Sequence, residues 1–201
     1  MDKQTQERSH SEITAFIRKT FKEQEAFIPL HAPYFGGNEK KYVLDTIEST
    51  FVSSVGAYVT RFEEMMQEIT GAKYAVAIMN GTAALHLALL VAGVKHGDAV
   101  ITQPLTFAAT ANAIAHAGAT PVFVDVDKDT MGLSPVALKE WLQENTITKD
   151  RSCFIKSSGQ RVAACLPMHT FGFPLRIEEV IAVSNGYNIP VVEDAAESLG
   201  S

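Results

Sequence analysis

The distribution of apolar residues changes character near Lys73. From there to Glu193, short apolar runs alternate with stretches whose apolar positions recur every three to four residues. Runs at 74–79, 99–102, 121–126, 162–168 and 190–193 predict strands. The intervening periodic stretches at 82–92, 107–117, 135–144 and 177–185 predict helices. Strand and helix in strict alternation, joined by short connections, imply right-handed crossovers and a mainly parallel sheet covered on both faces. The one interruption, 145–161, is polar and aperiodic and reads as an exposed excursion. Upstream, Ile13, Phe16, Ile17 and Phe21 recur at helical spacing, with Ser11 as the expected N-cap. A second helix is expected over 39–49, with Val43, Leu44 and Ile47 inward. A third is expected over 58–70, ended by Gly71. Between them lies a loop of small residues, 51–56.

Composition narrows the class. The chain has 201 residues and 46% hydrophobic content, enough for one sizeable core. Its net charge of −6 argues against a nucleic-acid footprint. A phosphorylated ligand stays open, because a helix N-terminus binds phosphate without basic side chains. Cys153 and Cys165 are too far apart for a CxxC unit, so free thiols in a reducing cytoplasm are expected. The start of the chain has no apolar signal core, and no stretch approaches the roughly 20 apolar residues of a spanning helix. A soluble, cytoplasmic protein without a membrane partner is the expectation.

Candidate chemistry gathers at predicted strand ends. The last run, Ile189-Pro190-Val191-Val192, reads as a fully buried parallel strand that ends in Glu193 and Asp194. In open α/β sheets ligands sit outside the carboxyl ends of the strands. A carboxylate buried there needs a positive partner, and a protonated ring nitrogen would serve. Asn80-Gly81-Thr82-Ala83 opens a helix, where unpaired amides and the macrodipole favour an anion. By itself this stretch reads more readily as a capped helix start, and it is neither a P-loop nor GxGxxG. Phe107 follows the next strand and could stack on a flat heterocycle, or pack in the core. Thr110 and Asn112 read as packing and capping residues. His169 could meet a cofactor or substrate, although a lone histidine is more often satisfied by backbone. Glu197 completes the set. Asp125, Asp127 and Asp129 lack the glycine and terminal acid of a calcium loop and read as a solvated turn, so no metal is assigned. Four sites converging on one sheet edge carry more weight than any of them alone.

Six stretches in order resemble the DegT/DnrJ/StrS-type sugar-nucleotide aminotransferases, a fold-type I pyridoxal-phosphate family. They are Val52-Ser53-Ser54-Val55-Gly56, Phe62-Glu63-Glu64, Asn80-Gly81-Thr82-Ala83-Ala84-Leu85, Thr106-Phe107-Ala108-Ala109-Thr110, His169-Thr170-Phe171-Gly172 and Val192-Glu193-Asp194-Ala195-Ala196-Glu197-Ser198. The segment Phe27-Ile28-Pro29-Leu30-His31-Ala32-Pro33 further resembles the branch acting on UDP-linked 4-keto-6-deoxy-N-acetylhexosamines, as in bacillosamine and legionaminic acid synthesis. The resemblance implies an α/β three-layer sandwich. Residues 27–201 would be the incomplete N-terminal part of the large domain, preceded by a helical extension at 1–26.

The resemblance also implies a division of labour. Gly81, Thr82 and Ala83 would hold the phosphate of pyridoxal 5′-phosphate, and Phe107 would stack on its ring. Asp194 would keep the pyridine nitrogen protonated, and Glu197 would sit beside the ring hydroxyl. Ser53, Ser54 and His169 would face substrate. The family often has Ser at the position of Asn80 and Gln at that of Glu197. A nucleotide-linked keto sugar, an amino donor such as glutamate, and a homodimer are the implied partners. The family's Schiff-base lysine follows the Asp194 motif, whereas the last lysine here is Lys156. The 201-residue chain alone is therefore expected not to transaminate. Two readings compete with the enzyme: a binding or regulatory protein that keeps the pocket, and, ranked last, a Rossmann-like nucleotide domain without its glycine fingerprint.

Overall fold

The structure, a computed structural model, describes residues 3–29 and 32–201, with side chains from Ser9 onward. Leu30 and His31, within the segment that suggested the branch, lie outside the described residues. The chain divides into two compact units, Met1–Ala57 and Tyr58–Ser201.

The first unit holds α1 (Lys3–Phe21) and α2 (Glu39–Glu48). Ser11 lies inside α1, eight residues past its start, and so is not its N-cap. The helix extends upstream because residues 3–10 contain no glycine or proline to stop it. Val43, Leu44 and Ile47, expected inward, are exposed, and α2 has no buried residue. The amphipathic pattern forms the helix, but among the described residues no apolar surface buries it.

All but the first residue of α3 (Ala57–Thr70) lies in the second unit, and the helix ends at Gly71 in the left-handed region (φ 71°). Residues 74–79 form no strand. Tyr74, Val76 and Met79 are exposed, and one backbone tie is the Ala77 N–H donated to Glu63 Oε1 at 2.8 Å. An apolar run becomes a strand only where a neighbour supplies the ladder, and none is present among the described residues.

The alternation then holds: α4 (Gly81–Val91), β1 (Ala99–Thr102), α5 (Ala108–His116), β2 (Thr120–Phe123) and α6 (Pro135–Asn145). Ser134 caps α6 by accepting from the Ala137 N–H, with Pro135 in the first turn. The stretch 145–161 is not an excursion. It forms β3 (Thr146–Lys149) and β4 (Ser152–Ile155), an antiparallel hairpin that continues into β5 (Arg161–Cys165). Its turn residues Asp150 and Arg151 both have positive φ, 49° and 61°. Such a turn normally announces itself with Asn-Gly, and Asp-Arg hid it. α7 (Ile177–Asn185) follows.

The sheet has five strands in the order β2-β1-β5-β4-β3, parallel across β2-β1-β5 and antiparallel beyond. Alternate residues of β1 separate two cores. Val100 joins Leu89 of α4 and Ile114 of α5 on one face. Ala99 and Ile101 join Leu138 and Leu142 of α6 and Val180 of α7 on the other. This is a three-layer α/β sandwich. The run 190–193 pairs in parallel with the β5 segment only through isolated bridges, Cys165 with Val191 and Met168 with Asp194. It is less buried than its composition implied. Ile189 and Asp194 are buried, whereas Val191 and Val192 are half-buried.

Candidate active site

The parallel half of the sheet brings the chain to one edge three times: after β1, after β5 and after the run 190–193. There a cavity of about 260 Å³ is lined by Gly81, Thr82, Leu85, Phe107, Ala109, Met168, Asp194, Ala196 and Glu197. Five of the six residues singled out for a cofactor, Gly81, Thr82, Phe107, Asp194 and Glu197, meet in it.

Asn80 precedes α4 in extended conformation, and its Oδ1 accepts from the Ala83 N–H at 2.9 Å. That bond occupies the Ala83 amide, and Ala83 is outside the lining. The Gly81 and Thr82 amides lie in the first helical turn, where no carbonyl one turn back can take them. A Cβ built on Gly81 would meet no atom within 4 Å, so its backbone is open to a ligand. Phe107 occupies the N-cap position of α5 with φ −70° and ψ 143°, and its ring is 68% exposed rather than packed in the core.

Asp194 is only 5% exposed. Its backbone is pinned by N–H donation to Pro167 O at 2.9 Å and by acceptance from the His169 N–H at 3.2 Å. Its Oδ2 accepts from Thr110 Oγ1 at 2.8 Å, and its Oδ1 accepts from the Ala196 N–H at 3.3 Å. No cation pairs with it among the described residues. A buried carboxylate bordering a cavity, without a positive neighbour, calls for a cationic ligand. Thr110, expected to serve packing, is thus part of the site. Glu197 is exposed at the rim, and its carbonyl lies so close to Gly172 that a Cβ there would come within 2.7 Å. Gly172 also has φ 79°, so both space and conformation require glycine.

His169 lies outside the lining and is 4% exposed. Its Nδ1 accepts from the Leu175 N–H at 3.0 Å and its Nε2 lies 2.7 Å from Glu193 Oε1. An Nδ1 that accepts must carry a lone pair, so the ring proton sits on Nε2 and is donated to Glu193. Both nitrogens are engaged in holding the 169–175 loop. Ser53 and Ser54 are exposed in the loop of the first unit.

Sequence reasoning assigned no role of their own to Leu85, Ala109, Met168 and Ala196, which are ordinary apolar residues placed by neighbouring elements. It also missed Gln103, fully buried just behind this edge. Gln103 Oε1 accepts from the N–H groups of Leu133 and Met168 at 2.8 and 3.2 Å. Its Nε2 donates to Leu105 O and Thr170 Oγ1 at 3.0 and 2.9 Å. Both ends of its amide are satisfied, which ties the loops after β1 and β5 together. Burial pushes the Cys165 thiol up to about 12, so it stays protonated below the site and is no nucleophile. Asp127 and Asp129 are ion-paired with Arg176. No described helix is long and apolar enough to cross a membrane.

The family model for DegT/DnrJ/EryC1/StrS aminotransferases matches residues 33–201. A GDP-perosamine synthase of Escherichia coli O157:H7 is 37% identical over 175 residues, 87% of this chain and 44% of the relative. A GDP-perosamine synthase of Caulobacter vibrioides is 38% identical over 174 residues, 87% of this chain and 43% of the relative. Among solved structures, an aminotransferase from Psychrobacter cryohalolentis superposes with a TM-score of 0.71 at 30% identity, covering 87% of this chain and 40% of that one. The chain thus spans less than half the length of the proteins it matches.

Proposed function

Because the chain belongs to the DegT/DnrJ/EryC1/StrS aminotransferase family, we propose that it is the cofactor-holding part of an enzyme that transfers an amino group to a nucleotide-linked keto sugar. The family's cofactor is pyridoxal 5′-phosphate. The observation that carries the reading is the pairing, within one 260 Å³ cavity, of a buried carboxylate that meets no cation among the described residues and a helix start whose Gly81 and Thr82 amides have no carbonyl one turn back.

The residues present fit that cofactor. The Gly81 and Thr82 amides, with the Thr82 hydroxyl, would bind the phosphate at the start of α4. The exposed Phe107 ring would stack on the heterocycle. Asp194 would hold a proton on the ring nitrogen, and Glu197 would lie beside the ring hydroxyl. Leu85, Ala109 and Met168 line the same cavity as Asp194, and an apolar lining would strengthen an ion pair formed there. When bound, the cofactor supplies an electron sink for the carbanion formed in amino transfer. The amino donor would be glutamate and the acceptor a 4-keto-6-deoxy sugar on UDP or GDP. Residues 27–201 would belong to the large domain of a homodimeric enzyme, with Ser53 and Ser54 on the substrate side, whereas His169, buried and with both nitrogens engaged, holds the loop instead of facing substrate.

Lys156 supports a further part of the reading. Its Nζ donates to Gln143 O and Glu144 O at 3.3 and 2.6 Å, at the β4–β5 turn. Asp194 is level with Met168, about 20 Å further along the β5 direction by strand rise. Lys156, the last lysine of the sequence, is therefore remote from the cavity, and the chain alone would not turn over.

The test has two parts. Calorimetry should show pyridoxamine 5′-phosphate binding to the chain with a micromolar Kd. A chimera carrying residues 33–201 in place of the matching segment of the Escherichia coli GDP-perosamine synthase should transfer nitrogen from glutamate to a 4-keto-6-deoxy sugar. No binding at millimolar ligand would defeat the cofactor assignment, and turnover by the unmodified chain would defeat the reading of Lys156.

A further inference from the structure

Asp194 does not stand alone at the cavity wall. The Thr110 hydroxyl on α5 is fully buried and donates to Asp194 Oδ2 at 2.8 Å. Thr110 Oγ1 in turn lies 2.7 Å from Thr106 Oγ1, and Thr106 Oγ1 lies 2.9 Å from Met168 Sδ. A hydroxyl has one proton and two lone pairs. An ionised carboxylate only accepts, so the Thr110 proton is committed to Asp194. Thr106 then donates into the Thr110 lone pair, polarising the bond to the carboxylate. Three segments of the chain converge here: the loop after β1, the start of α5 and the rim after the run 190–193.

Resting on the cofactor reading above, we propose that Thr110, backed by Thr106, is a positioning residue that aims the Asp194 carboxylate into the cavity. With Oδ2 held by Thr110 and Oδ1 by the Ala196 N–H, the carboxylate's free lone pairs are left for a protonated ring nitrogen. Removing the hydroxyl strands Oδ2 in an apolar wall, which disfavours the charged carboxylate and hence the ion pair it would form. The other titratable groups on this edge are Glu197 in the lining and the Glu193–His169 pair at 2.7 Å. The lining residues from α4 and α5 (Gly81, Thr82, Leu85 and Ala109) and the cap residue Phe107 bring no charge.

The test uses the 201-residue chain with pyridoxamine 5′-phosphate labelled with ¹⁵N in the ring. Calorimetry reads affinity, and the ¹⁵N shift reads whether the ring nitrogen is protonated across pH 6–9. Thr110→Val, nearly the same shape, is expected to weaken binding about tenfold and to move the ring-nitrogen titration to lower pH. Thr110→Ser restores both. Thr106→Val keeps the direct bond and gives a shift of the same sign but smaller, so the proposal stays open to refutation even if Thr110→Val fails to fold. A Thr110→Val chain with unchanged ring-nitrogen titration overturns the proposal, whatever its affinity, because a packing role alone would leave protonation untouched. If the unsubstituted chain does not bind the ligand, the cofactor reading fails and takes this proposal with it. If it binds and Thr110→Val matches it on both readouts, only this proposal falls.

Discussion

The two halves of the sheet share helices and a core but differ in what they deliver. In the parallel half, β2-β1-β5, successive strands run the same way, so each following loop arrives at one edge. In the antiparallel half, β4-β3, the chain reverses, and its turn at Asp150-Arg151 stops near the middle of β5. The parallel half builds the cavity, and the hairpin contributes no residue to its lining. What the hairpin does contribute is packing, through Cys153 and Ile155 in the core shared with Leu138 and Val162. The difference teaches that strand direction, more than composition, decides where chemistry can collect.

The sharpest way to break this contrast is to substitute one charged residue in each half. Asp194→Ala removes the one buried acid of the cavity. It should weaken pyridoxamine phosphate binding by about a hundredfold or more, the scale of losing one partner of a buried ion pair. Lys156→Met, at the hairpin's far end, should leave the same calorimetric titration unchanged.

Stability comes next. Ile101→Ala in β1, a strand with every residue buried, should cost about 3–5 kcal/mol of unfolding free energy by urea denaturation. Ile155→Ala in β4, 8% exposed, should cost less, about 2 kcal/mol. Equal losses would mean that the hairpin is as central to the core as the parallel strands.

The parallel half's opposite edge is held by Arg161. It donates to Asp98 Oδ1 and Oδ2 at 3.1 and 2.5 Å and to Gly93 O at 2.7 Å. Burial opposes ionisation of Asp98, but the Arg161 guanidinium and the Lys95 N–H outweigh it and hold the carboxyl below its usual value. A depressed folded-state value stabilises the native protein above the unfolded carboxyl's titration, near pH 4. That contribution is lost as pH falls through the folded-state value. Asp98→Asn should cost about 1.5–3 kcal/mol at pH 7 and flatten the acid limb of the stability curve below about pH 5. The smallest effect belongs to the hairpin turn. Arg151→Gly relieves a left-handed residue (φ 61°) and should raise the unfolding free energy by about 0.5–1 kcal/mol with no change in ligand affinity.

The site was legible where a residue's type and its place in the alternation agreed. Gly81, Thr82, Phe107 and Asp194 each followed a predicted strand or opened a predicted helix, and the cavity contains them all. His169 was legible as polar and well placed, but its two nitrogens point to Leu175 and Glu193, a choice made by a loop with Phe171 and Gly172 at positive φ. Thr110 was misjudged because a threonine in a helix looks alike whether its hydroxyl meets a carbonyl of its own turn or, as here, a carboxylate 84 residues away. The hairpin was missed because its turn has an arginine where glycine is usual, and its alternation spans only four residues per strand.

The order of apolar and polar positions determined the alternating α/β class, the helices α4 to α7 and the strand β1, and six motif stretches in order pointed to the family and its three-layer fold. Those are properties of local periodicity and of motif order, which the chain carries in one dimension. Tertiary structure alone decided that residues 74–79 stay unpaired, that Val43, Leu44 and Ile47 stay exposed, that Ala83 spends its amide on Asn80, and which hydroxyl holds Asp194. Each of these depends on which partner arrives from elsewhere in the chain, and a hydrogen bond or a buried face exists only once both sides are in place.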